Sequence, residues 1–201
     1  MLDASLRRLI DPPLDHIGAG LGRRGIGADA VTLAGFAVGV ASFPALAMQA
    51  YPAALGLILL NRVMDGLDGA VARHAGATDF GGYLDIVCDF LFYSGVVFFF
   101  AAGRPEHALP AAFLIFSFVG TGSSFLTYAI FAAKRGITTR IRGAKSLYYI
   151  GGLTEGTETI ALFVAFCLFP DAFSWAAWGF GGLCWVTTAA RVGAAARTFR
   201  P

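Results

Sequence analysis

Residues 52–73 read PAALGLILLNRVMDGLDGAVAR, and residues 81–102 read GGYLDIVCDFLFYSGVVFFFAA. Each stretch is long enough to cross a bilayer as a helix, which takes about 20 largely apolar residues. Each also carries two carboxylates where a spanning segment tolerates them least. Asp65 and Asp68 fall near the end of the first, Asp85 and Asp89 near the start of the second. An ionisable side chain at the bilayer centre costs about 2.5–3.5 kcal/mol on insertion scales, so its retention there points to function.

The remainder of the chain fits that setting. Of 201 residues, 57% are hydrophobic and 14% charged, and mean hydropathy is +0.68. An ordinary soluble domain carries about 25% charged residues, so this chain has too little polar surface to cover a water-facing exterior. A soluble enzyme, a disordered chain and a disulfide scaffold are excluded. Further apolar stretches at 30–50, 108–133, 147–169 and 172–192 join 52–72 and 82–102. The expected fold is all-α: one integral membrane domain, 1–201, with six transmembrane helices. Leu2, Leu6, Ile10, Leu14, Ile17 and Leu21 share one helical face ahead of the first span. Residues 1–24 therefore read as an amphipathic juxtamembrane helix in the interface, which Pro12-Pro13 should break or kink.

Basic residues set the orientation. Arg7, Arg8, Arg23 and Arg24 precede span one, Arg73 follows span two, and Lys134, Arg135, Arg140, Arg142 and Lys145 follow span four. Arg191, Arg197 and Arg200 end the chain, whereas the opposite loops hold only Arg104. Positive residues collect on the cytoplasmic side, so both termini and the acidic region are expected to be cytoplasmic. The net charge of +2 says little, and nothing suggests nucleic-acid binding. Cys88, Cys167 and Cys184 are an odd, scattered set inside apolar runs, read as small buried hydrophobes.

The acidic spacing carries the chemistry. Asp65 and Asp68 are i, i+3, and Asp85 and Asp89 are i, i+4, so each pair occupies one face of a helix. Two such faces opposed bring four carboxylates together, where they repel strongly at low dielectric. Divalent metal relieves the repulsion, and oxygen-only ligation suits Mg²⁺ or Mn²⁺. A pair of such ions commonly grips a phosphate undergoing displacement. Gly66, Gly69, Gly76, Gly81 and Gly82 crowd the region and permit close approach of a ligand. Arg73, a turn beyond Gly69, can meet a diphosphate. Glu155 and Glu158 lie about 12–17 Å into the fifth span. They either face a substrate or pair with Arg62 or Arg191.

The stretch Asp65-Gly-Leu-Asp68-Gly69-Ala-Val-Ala72-Arg73, followed by Gly81-Gly-Tyr-Leu-Asp85-Ile-Val-Cys-Asp89, resembles the signature of the CDP-alcohol phosphotransferases, D-x2-D-G-x2-A-R and G-x3-D-x3-D. All eight signature residues are present. The gap between the halves is seven residues where eight is usual, a difference that falls in a loop. Gly27-Ala28-Asp29-Ala30-Val31-Thr32 partly resembles the family's T-P-N-x-[IV]-T, with Ala28 and Asp29 in place of Pro and Asn.

The resemblance implies that an alcohol displaces CMP from a CDP-linked donor, usually CDP-diacylglycerol, in phospholipid biosynthesis. By the same resemblance Asp65, Asp68, Asp85 and Asp89 bind Mg²⁺ or Mn²⁺, two ions per site, and Asp89 is the catalytic base. Asp29, Asp68, Gly69, Ala72, Arg73 and Gly81 are the expected CDP contacts. Lys134, Glu155, Glu158 and Arg191 are candidates for the acceptor alcohol. The resemblance further implies a homodimer, and a bacterial inner membrane is the expected location. An aspartate-rich membrane prenyltransferase is the alternative enzyme. A cation transporter is the alternative outside enzymes, disfavoured because the carboxylates stay in one half of the membrane.

Overall fold

In the computed structural model the described residues are 2–137 and 153–200, with side chains described from residue 12 onward. Among them are seven α-helices, two short 3₁₀ turns and no strand. The helices are α1 (Leu2–Arg23), α2 (Ala28–Ala47), α3 (Tyr51–Ala75), α4 (Asp79–Gly103), α5 (Ala108–Lys134), α6 (Gly156–Leu168) and α7 (Phe173–Phe199). The positions Leu2, Leu6, Ile10, Arg7 and Arg8, and the basic residues Arg140, Arg142 and Lys145, lie outside the described side chains.

Among the described residues three segments are long and apolar enough to cross a membrane: Ala28–Ala47, Asp79–Gly103 and Pro105–Lys134. Their outward faces are greasy, with Leu33, Val40, Phe98, Val119 and Ile130 all exposed. Contiguous exposed apolar surface of this kind marks contact with lipid or another apolar partner. α3 departs from the pattern because Arg62, Asp65 and Asp68 interrupt it.

Two sequence expectations are corrected. The Pro12-Pro13 pair does not end α1, which runs through both prolines. Tertiary packing overrides the local penalty: Leu14 is buried against Gly66, and Gly18 sits against Ala70 of α3. The described part of the fifth expected span is also shorter. Residues 153–155 are not helical, and α6 has 13 residues, about 20 Å, against a hydrocarbon core of about 30 Å. Its start is fixed by a capping box, in which the Glu155 side chain accepts from the N3 backbone and Glu158 accepts from the Glu155 N–H at 3.1 Å.

α2 packs against both α3 and α4. The α2–α3 contact uses Gly35 beside Met64, and the Asn61 Nδ2 amide donates to the Gly35 carbonyl at 2.8 Å. Gly76, at φ +101°, turns the chain between α3 and α4, a backbone state that other residues rarely adopt. α2, packed on both helices, holds the two acidic segments facing each other. α5 pairs with α7, and Tyr128 meets Thr198 at 3.0 Å.

The apolar core runs from Phe92, beside the acidic site, to the opposite end of the helices. Phe92, Phe100, Phe163, Phe166 and Phe173 are fully buried, with Phe100 stacked on Phe173 at 4.2 Å between centroids. At that far end Arg104 clamps the connections, donating to Asp171 at 2.8 Å and Glu106 at 3.0 Å. The three cysteines are free and buried, as expected.

Candidate active site

The C-terminal half of α3 and the N-terminal half of α4 present the four aspartates. Carboxylate oxygens of Asp65, Asp68 and Asp85 all lie within 4.8 Å of one another. At a metal–oxygen bond of about 2.1 Å, octahedral ligands stand roughly 3–4.2 Å apart, so a donor set spread over as much as 4.8 Å would close on one Mg²⁺-sized ion by small side-chain movements. Asp68 is buried and is oriented by Thr32 of α2, whose Oγ1 donates to Oδ2 at 2.7 Å. The cavity over these groups is small, about 10 Å³, which matches the space of about one water-sized occupant.

Asp89 is handled separately. Arg62 Nη1 donates to its Oδ1 at 2.9 Å, and the Tyr93 hydroxyl donates to its Oδ2 at 3.3 Å. The same guanidinium lies 3.6 Å from Asp65 Oδ2 and 4.8 Å over the Phe92 ring. Arg62 Nε is fixed by Asn61 Oδ1 at 2.8 Å. One cation thus offsets part of a four-carboxylate cluster, and additional positive charge is required to make such a site favourable. Of the two alternatives for the fifth-span glutamates, pairing with Arg62 is not what the structure records: its described ion pairs are with Asp65 and Asp89.

The proposed nucleotide contacts ring the same end. Gly69 is open: an added Cβ would meet only Arg73 Nη1, at 3.6 Å. Ala72 is half-buried and Arg73 exposed. Gly81 is closely approached, since a Cβ there would fall 2.8 Å from Asp29 Oδ1. Its N–H donates to Thr78 Oγ1 at 2.9 Å, the cap of α4. Asp29 in the first turn of α2 and Gly81 therefore sit together although 52 positions separate them in sequence.

A second cavity, of about 180 Å³, opens on the other side of Asp89's partner Tyr93. Thr121, Glu155 and Arg191 line it, with Phe118 and Phe125 as apolar wall. Arg191 is buried and donates to the Thr121 carbonyl at 2.9 Å. Glu155 and Arg191 are thus brought together, whereas Glu158 is spent on the cap of α6 and Lys134 stands exposed at the end of α5. Thr32, Tyr93 and Asp15 were not singled out from the sequence. Thr32 lies inside the partial motif at the start of span one, and Tyr93 is one turn from Asp89. Asp15 reaches Arg73 across 58 residues and had no local signal.

An apolar-surfaced helical protein with a cluster of oxygen donors between its helices fits the membrane enzymes that transfer phosphate-linked groups. The chain is a member of the CDP-alcohol phosphatidyltransferase family, whose pattern matches residues 26–190. It is 53% identical over 193 residues to the inner membrane protein YnjF of Escherichia coli (strain K12), covering 96% of this chain and 94% of that one. It is 31% identical over 101 residues to the archaetidylinositol phosphate synthase of Pyrococcus horikoshii, covering 50% and 54% of the two chains. The fold is similar to that of the Mycobacterium tuberculosis phosphatidylinositol phosphate synthase crystallised with CDP-DAG, at TM-score 0.72 and 21% identity over 90% of this chain and 92% of that one. It is also similar to the same enzyme in complex with manganese and citrate, at TM-score 0.69 and 23% identity, covering 90% and 87%. The chain is accordingly a phosphotransferase enzyme, and the prenyltransferase and transporter alternatives are set aside.

Proposed function

We propose that the protein transfers a phosphatidyl group from CDP-diacylglycerol to an alcohol, releasing CMP. The observation that carries this reading is the division of the four aspartates: Asp65, Asp68 and Asp85 cluster as a ligand set, while Asp89 is held apart by Arg62 and Tyr93. Such a division suits a diphosphate site with an adjacent general base.

Bound at Asp65, Asp68 and Asp85, with Asp89 bordering a second ion, Mg²⁺ or Mn²⁺ would neutralise the diphosphate and the departing CMP. Gly69 and Ala72 leave room for the nucleotide along α3, Arg73 meets its phosphate charge, and Asp29 and Gly81 bound it from α2 and α4. The acceptor hydroxyl oxygen attacks the lipid-bearing phosphorus. The bond from that phosphorus to the oxygen shared with CMP breaks, CMP leaves with the electron pair, and the hydroxyl proton passes to the Asp89 carboxylate. No covalent enzyme intermediate is required.

We assign the second cavity to the acceptor, because it borders Asp89 through Tyr93 and brings Glu155, Thr121 and Arg191 to one polar wall. Lys134 would attract a charged acceptor at the entrance. Glu158 acts by holding Glu155 at the start of α6. The single domain, 1–201, would cross a bacterial inner membrane six times, as a homodimer, with both termini and the site cytoplasmic. Support for the membrane is the apolar outer surface together with YnjF, an inner membrane protein by its name.

The test is product analysis. Purified protein in detergent is given CDP-diacylglycerol, Mn²⁺ and single alcohols in turn. The reading predicts CMP and a new phosphodiester lipid, by mass spectrometry, with at least one alcohol. Failure to bind CDP in the presence of Mn²⁺ would contradict it.

A further inference from the structure

We propose that Asp15, on the juxtamembrane helix α1, is a positioning residue that aims Arg73 at the nucleotide diphosphate. The inference rests on the reading that Arg73 meets that diphosphate. Asp15 Oδ1 accepts from both Arg73 Nε, at 3.0 Å, and Arg73 Nη2, at 2.6 Å. That engages one edge of the guanidinium and leaves Nη1 lying over Gly69, 3.6 Å from where a Cβ would be. Asp65, Gly69 and Arg73 are spaced i, i+4, i+8 and form one stripe along α3. The stripe spans about 12 Å at 1.5 Å per residue, so Nη1 faces down a row that leads to the carboxylate cluster.

The helix bearing Asp15 is seated to make this contact. Leu14 is buried where Gly66 leaves room, 2.7 Å from the position of a Cβ, and Gly18 lies against Ala70 at 2.8 Å by the same measure. Contacts one residue before and three residues after Asp15 thus lock α1 in register on the helix that carries the aspartates. Stability does not explain the pair. Both side chains are over two-fifths exposed, 42% for Asp15 and 47% for Arg73, and exposed ion pairs contribute little to folding. A free arginine side chain must lose rotamer freedom when it grips phosphate, and prior fixing removes that cost. The fork geometry matters because guanidinium can give one edge to Asp15 and keep another donor for the ligand.

The experiment uses the full chain in detergent with Mn²⁺ and CDP as the soluble probe, read by calorimetry. The variants are D15N, D15E, R73K and D15N/R73K, with unfolding temperature as the control. D15N is expected to weaken CDP binding about five- to tenfold while leaving the unfolding temperature unchanged. D15E should recover most of the affinity, and D15N should add nothing once R73K is present. KM for the donor should rise and KM for the acceptor should not. Unchanged or tighter CDP binding in D15N would overturn the proposal, as would additive D15N and R73K effects. A wild-type protein that does not bind CDP at all would overturn the functional reading itself, a result separable from loss in D15N alone.

Discussion

At the residue scale, Gly69 separates folding from ligand binding. A methyl group there meets only the flexible end of Arg73, and alanine is favoured over glycine inside a helix by about 1 kcal/mol. Gly69→Ala should therefore leave thermal stability equal or slightly higher while weakening CDP binding at least several-fold; unaltered CDP affinity in a calorimetric titration would contradict the placement of the nucleotide along α3. Arg62 is the reverse case. It is largely buried, pairs with Asp89 and Asp65, and its removal leaves carboxylates without compensation. Arg62→Met should cost about 3 kcal/mol. Because the charge it neutralises is largely that of Asp89, Arg62→Met/Asp89→Asn should cost less than the sum of the singles. A denaturant series on the four proteins measures the coupling, and simple additivity would sink this account of the pair.

Elements explain which parts of the site were legible beforehand. The four aspartates could be read because both the fold and the chemistry depend on local spacing: i, i+3 and i, i+4 on helices, with carboxylates that an apolar span would otherwise exclude. The separation of Asp89 from the other three could not be read, since it depends on Arg62 reaching across from α3, with Tyr93 one turn along α4 completing the hold. The fifth span was misjudged for a related reason. Composition alone runs through residues 147–169, but Glu155 and Glu158 close a capping box that starts α6 at Gly156. Irregular backbone before such a start is tolerated at membrane depth only where protein or a cavity covers it, and here the Thr154 hydroxyl bonds to Thr187 while Glu155 borders the second cavity. The two glutamates should thus behave differently. Glu158→Ala should lower stability by about 1 kcal/mol, the usual worth of a cap, with KM values little altered. Glu155→Gln should raise KM for the acceptor and not for the CDP-linked donor. Steady-state kinetics on both variants would show identical behaviour if the second cavity were not the acceptor site.

For the whole molecule, the structure sorts the sequence into two ends. Aromatic packing centred on Phe100, Phe166 and Phe173 holds one end rigid, and Arg104 ties its connections together. The other end collects carboxylates, glycines and the arginines that offset or extend them. A membrane protein gains little from hydrophobic burial against lipid, so close packing and internal polar pairs carry more of its stability. Close contacts at the acidic end itself, Asn61 on the Gly35 carbonyl and Leu14 against Gly66, set the helix spacing there. The central claim is that this acidic end performs displacement at phosphorus with Asp89 taking the proton. Its most direct test is a paired measurement on Asp89→Asn, following CMP release from CDP-diacylglycerol and Mn²⁺-dependent CDP binding in the same preparation. The account predicts turnover reduced by about 10²–10⁴-fold with CDP still bound. Turnover near that of the unaltered protein would contradict it.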